Sequence, residues 1–172
     1  VIACDQYTSE PEYWHRAEEY VGGSPSTLNL ILPEYLCESE EVDSLIAKGA
    51  ETARRYLEQG VFRTVPNSFV YVERTLFSGK LRRGIVGMVD LEAYDFRPGS
   101  KSPIRATEGV VESRLPLRTR LKEKSVLDLP HTLMLMDDPD GTVLDHIELK
   151  TILFEKLYDF ELMGGGGSIR GW

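Results

Sequence analysis

Four arginines and two groups able to move a proton stand together in the middle of the chain. Arg105, Arg114, Arg118 and Arg120 fall within the stretch from Lys101 to Lys124, Glu108 lies between the first two, and His131 follows shortly after. A guanidinium presents a planar fork of donors that matches phosphate or carboxylate. Arginines gathered around one concavity would therefore hold an anion. Glu108 is a candidate general base or metal partner; a counter-ion for a buried arginine is the plainer use of the same residue. His131, next to Pro130, is either a hydrogen-bonded structural histidine or an anion contact.

Other reactive residue types carry less chemistry. Asp137, Asp138 and Asp140 are crowded, but they miss the ligand spacing of a calcium loop, and Asp-Pro-Asp-Gly is a turn sequence in its own right. Cys4 and Cys37 form no CxxC and have no histidine at metal spacing, so core packing is expected of both. His15 and His146 have no metal-spaced partners. Neither the phosphate-loop nor the dinucleotide fingerprint occurs. The run Gly164 to Gly167 is a flexible hairpin tip or a loop that lets a ligand approach.

Charge is the most informative feature of the composition. The 172 residues carry a formal charge of −8, with 41% hydrophobic and 28% charged residues. That balance excludes collagenous, disulfide-scaffold and disordered classes, and no apolar run approaches the roughly 20 residues that span a bilayer. The charge is uneven: residues 1–62 sum to −8, residues 63–124 to +6 and residues 125–172 to −6. Three uses of the basic middle follow. It is a solvated face paired with the acidic flanks, a site for a small anion, or a nucleic-acid surface. Overall acidity and the lack of interleaved aromatics argue against the last.

Several elements have to position this segment. Val1 to Cys4 reads as a short strand. Ser9-Glu10-Pro11-Glu12 has capping-box spacing with a proline in the first turn, predicting a helix through Tyr13, Trp14, Ala17, Tyr20 and Val21 that stops at Gly22-Gly23. Leu28 to Leu32 reads as a strand ended by Pro33. The spacing of Val42, Leu45, Ile46, Ala50, Ala53 and Leu57 predicts a helix, with Ser39 as N-cap and Gly60 just past its end. Residues 69–91 read as a hairpin turning at Ser78-Gly79, with Gly84 and Gly87 marking a bulge or a close approach. Residues 101–124, broken by Pro103 and Pro116, read as a long irregular segment of the kind that carries function. Thr132 to Met136 reads as a strand, Val143 to Leu157 as a helix, and Tyr158 to Met163 with Ser168 to Trp172 as a second hairpin. Early alternation followed by hairpins predicts one α+β domain over residues 1–172, with a mixed or antiparallel sheet and two to three packed helices. The abrupt ends suggest a fragment of a longer protein.

Five stretches carry a family likeness. They are Val1-Ile2-Ala3-Cys4-Asp5-Gln6-Tyr7-Thr8-Ser9-Glu10-Pro11, Val72-Glu73-Arg74-Thr75, Ile104-Arg105-Ala106-Thr107-Glu108-Gly109, Leu129-Pro130-His131 and Lys156-Leu157-Tyr158-Asp159-Phe160. Together they resemble the domain of unknown function 1015 family, in the version common in anaerobic Firmicutes. The resemblance implies a longer protein whose later half carries a Gly-Asp-Gly-(Asn/His)-His type motif, similar to the phosphate-handling loop of ParB/sulfiredoxin-like proteins, some of which are small-molecule kinases. Neither that motif nor the Gly-Gly-Cys-His-Arg motif of sulfiredoxin occurs in this chain. Many relatives read Lys-Arg-His-Glu where this chain has Arg105 to Glu108; Glu108 matches the acid, and Thr107 stands in place of the histidine.

The expectation is thus a cytoplasmic protein that binds a phosphate-bearing small molecule through Arg105, Arg114, Arg118, Arg120 and His131, with Glu108 as base or metal partner. Its extension is a phosphotransferase using ATP or another nucleotide with Mg²⁺. The alternative is a non-enzymatic scaffold or regulatory module whose basic segment docks an acidic partner or the C-terminal remainder of the same protein. No membrane partner is expected.

Overall fold

The computed structural model describes residues 7, 9–106, 108–129 and 132–172. The expected strand at Val1 to Cys4, and with it Cys4, lies outside the described residues. The backbone divides into two compact units. One draws on Val1–Thr64 and Glu108–Leu133, the other on Val65–Thr107 and Met134–Trp172.

Helices build the first unit. Helix α1 covers Pro11–Val21, with Pro11 in its first turn and Gly22 beyond its last at φ 55°. Its N-cap is Glu10, without a side-chain cap bond, so the expected Ser9 capping box is not formed. Helix α2 covers Val42–Glu58 and ends, as its spacing predicts, before Gly60 at φ 66°. Glu41 is its N-cap; Ser39 Oγ is buried and has no hydrogen-bond partner among the described residues. Trp14 and Ala17 of α1 and Ile46, Ala50, Ala53 and Tyr56 of α2 are buried, together with Leu32.

The strand expected at Leu28 to Leu32 is instead a 3₁₀ turn at Thr27–Leu30. Its polar side chains outcompete a ladder. Ser26 Oγ accepts from Leu28 N at 3.2 Å, and Asn29 Nδ2 donates to the Tyr56 hydroxyl of α2 at 2.8 Å and to Ser24 O at 3.3 Å. Gly49 of α2 faces this turn, and a Cβ there would meet Leu30 O at 3.4 Å, an ordinary contact.

The stretch expected to be irregular also folds. Glu112–Arg114 forms a 3₁₀ turn that leads into helix α3, Leu115–Lys124. Helix α3 buries none of its residues, which is why no apolar period betrays it. Residue propensity suffices to explain it: Leu, Arg, Lys and Glu are good helix formers, Pro116 is tolerated in the first turn, and Lys122 and Lys124 meet the negative end of the dipole.

The second unit is built on an antiparallel sheet of order β2-β1-β6-β5. Strands β1 (Val70–Thr75) and β2 (Leu81–Val86) form the first expected hairpin, turning through Gly79 at φ 79°. β2 stops at Val86 rather than Leu91. Gly84 pairs regularly with Val72, so it marks no bulge, whereas a Cβ at Gly87 would strike the Phe69 ring at 2.3 Å. Two-residue strands β3 (Tyr94–Asp95) and β4 (Ile104–Arg105) make a separate parallel pair. Strands β5 (Tyr158–Glu161) and β6 (Ser168–Gly171) form the second hairpin over the four glycines, and β6 pairs with β1.

Two further expectations are corrected. Thr132 to Met136 joins neither sheet, and its Leu133 and Leu135 side chains stay exposed instead of packing on a neighbouring strand. The helix expected over Val143 to Leu157 is only α4, Leu144–Glu148, followed by a 3₁₀ turn at Thr151–Leu153. The α+β class stands, with an antiparallel sheet, a small parallel pair and packed helices.

Candidate functional site

Glu108, Gly109, Val110, Val111, Arg114 and Arg118 line a depression of about 310 Å³ in the first unit. The 3₁₀ turn and α3 place the two arginines four residues apart, so they project from one face of the helix start. Arg114 is held from one side: its Nη2 lies 2.9 Å from Glu34 Oε1. Arg118 has no ion-pair partner among the described residues. The depression therefore contains a positioned guanidinium, an uncommitted one and a carboxylate.

The remaining expected site residues go elsewhere. Arg120 lies 3.1 Å from Asp43 of α2. Arg105 belongs to β4 in the second unit, where its backbone pairs with Asp95. His131 lies outside the described residues. Nearby, Lys122 is bonded to Asp128. Three of the basic side chains at 114–122 thus meet acids, as the charged-face reading expects, and Arg118 does not.

The aspartate-rich turn serves the backbone. The Asp138 carboxylate accepts from Val143 N, Leu144 N and Thr142 Oγ1, and these bonds, the Leu144 one foremost, lower its pKa. Among the described residues no group of three or more His, Cys, Asp or Glu could hold a metal ion.

The second unit has a larger concavity that no spacing in the sequence announces. It encloses about 710 Å³ and is lined by residues that include Glu73, Asp145, Glu148, Arg170 and Trp172. Its floor is a row of alternating charge across the sheet. β1 places Glu73 opposite Arg83 on β2 and opposite Arg170 on β6, and Arg170 in turn faces Asp159 on β5. Glu73 is 5% exposed, the one buried charged side chain among the described residues. It accepts from Arg170 Nη2 at 2.6 Å and from the Tyr71 hydroxyl at 3.3 Å. Arg83 Nη1 donates to Asp145 Oδ1 and Glu148 Oε2, 2.5 Å each, tying α4 to the hairpin. Burial first, then the Glu73 charge, pushes the Tyr71 phenol up to about 12. Arg170 also stacks on the Trp172 ring, 5.6 Å from its centroid. The charges of this floor satisfy one another, which makes it a staple for the sheet. The depression in the first unit differs in keeping a cation in reserve.

Among the described residues no helix is long and apolar enough to cross a membrane. The chain matches, over residues 1–172, the family described as protein of unknown function (DUF1015), and it belongs to that family. No curated protein and no solved structure matches it.

Proposed function

For this DUF1015 family member, we propose binding of a phosphate-bearing small molecule in the depression formed by residues 108–118. The observation that carries this is the pairing pattern. Arg114, Arg120 and Lys122 are each met by an acid, while Arg118, turned toward the same depression as Arg114, has no ion-pair partner among the described residues. A guanidinium left without a counter-ion beside a second, fixed one is arranged to receive two oxygens of an anion. Gly109, Val110 and Val111 bring backbone to the same wall. A phosphotransferase step with a nucleotide and Mg²⁺ is an extension of this reading that rests on the family resemblance and on the basic segment.

Thermal shift of the full chain with a panel of phosphorylated metabolites, nucleotides and inorganic phosphate tests the proposal. Stabilisation that grows with ligand concentration and disappears in Arg118→Ala is expected. No shift with any member of the panel, or a shift unaffected by Arg118→Ala, overturns it.

The scaffold reading is favoured by a different observation: Arg114 and Arg120 already bridge to Glu34 and Asp43, so part of the basic segment ties the first unit together. Co-purification with an acidic partner that is abolished by Arg118→Glu would favour that reading over ligand binding, and an association unchanged by it would eliminate the docking version.

A further inference from the structure

We propose that the ligand is a small phosphomonoester carrying a hydroxyl close to its phosphate, such as a phosphorylated polyol or hydroxy acid. This rests on the phosphate reading of the depression and specifies what accompanies the phosphate. A purely cationic pocket would take any phosphate alike, but Glu108 lines the same wall as Arg114 and Arg118. An ionised carboxylate repels a phosphate dianion and only accepts hydrogen bonds, so it improves binding only when the ligand turns a donor toward it. A hydroxyl supplies that donor without adding charge to the site. Val110 and Val111, 69% and 56% exposed, offer apolar surface to a short carbon chain. The volume of about 310 Å³ stands at the bottom of the roughly 300–1,000 Å³ range of small-molecule sites. It suits a phosphate with a few carbons.

Titration calorimetry on the full chain compares glycerol 3-phosphate with methyl phosphate, which keeps the phosphate and lacks the hydroxyls. Glycerol 3-phosphate is expected to bind about tenfold more tightly, the effect of one charge-assisted hydrogen bond. Glu108→Ala should bring the two affinities together by weakening glycerol 3-phosphate while leaving methyl phosphate equal or tighter. Glu108→Gln, which keeps a carbonyl acceptor, should fall between. Arg118→Ala should weaken both by tenfold or more, with circular dichroism confirming that each variant is folded. Equal wild-type affinities, with both lost in Arg118→Ala, would overturn the hydroxy-ester assignment and leave the phosphate reading standing. ATP binding more tightly than glycerol 3-phosphate would likewise overturn the assignment alone. Failure of every phosphate compound to bind would overturn both.

Discussion

Glu73 accepts from Arg170 on the neighbouring strand and from the Tyr71 hydroxyl, and removing it leaves both donors without this acceptor. The arginine keeps partial access to water, with its side chain 43% exposed. Glu73→Ala should therefore cost about 1–3 kcal/mol, below the cost of breaking a fully buried pair. Urea unfolding measures it, and Glu73→Gln, which retains an acceptor, should cost less. Tyr71 gives the same site a pH signature. Its phenol titrates near 10 when unfolded and is raised to about 12 by burial and the Glu73 charge. Between those values the folded state binds the extra proton, so this contribution is complete below pH 10 and lost as pH rises through 12. The fall in melting temperature over that window should be shallower in Tyr71→Phe; equal slopes would refute the assignment. None of this was legible in the sequence, because Glu73 and Arg170 are 97 residues apart and meet only through the register of β1 and β6. Arg114 and Arg118 could be read as a candidate pair because their spacing is local.

Elements with an internal apolar period were readable, and those held by polar bonds or propensity were not. Helix α2 and both hairpins announce themselves through spacing and glycine turns. The turn at Thr27–Leu30 looks like a strand by composition, and only the Asn29 bond to Tyr56, 27 positions away, decides against it. Helix α3, which carries the candidate site, hides because it buries no side chain. The glycine tip of the β5–β6 hairpin shows how one element depends on another. Gly167 has φ 90°, and a Cβ there would lie 1.9 Å from Thr75 O of β1. Gly164 has φ 65° with nothing within 4 Å. Gly164→Ala should cost roughly 1–2 kcal/mol for left-handed backbone alone. Gly167→Ala adds a backbone collision and should cost at least about 2 kcal/mol more, displacing β6 from β1. Equal melting midpoints for the two variants would show that the close approach does not constrain the sheet.

Across the whole chain, the basic middle is divided between the two units, and its 108–124 part returns to the acidic helical segment that precedes it. Residues 1–64 carry −7 and residues 108–133 carry +1, so even after this exchange the first unit remains negative. A phosphate ligand approaches a repelling field and is held by local guanidiniums, and the two influences can be separated by mutation. Glu34→Gln and Asp43→Asn each remove one negative charge from this unit. Glu34 pairs with Arg114, which lines the depression, whereas Asp43 pairs with Arg120 on α3. If long-range repulsion governs affinity, both variants should bind phosphate esters more tightly to the same extent. If Glu34 competes with the ligand for Arg114, only Glu34→Gln gains. The local outcome is expected, because at about 0.1 M salt charges beyond roughly 10 Å are screened. Glu34→Gln should gain about three- to tenfold in affinity and Asp43→Asn less than twofold, and unfolding free energies should change by about 1 kcal/mol or less because both pairs are at least partly exposed. Equal gains in calorimetric titrations would place control of binding in the field of the molecule, and a loss on Glu34→Gln would show instead that this carboxylate positions Arg114 for the ligand.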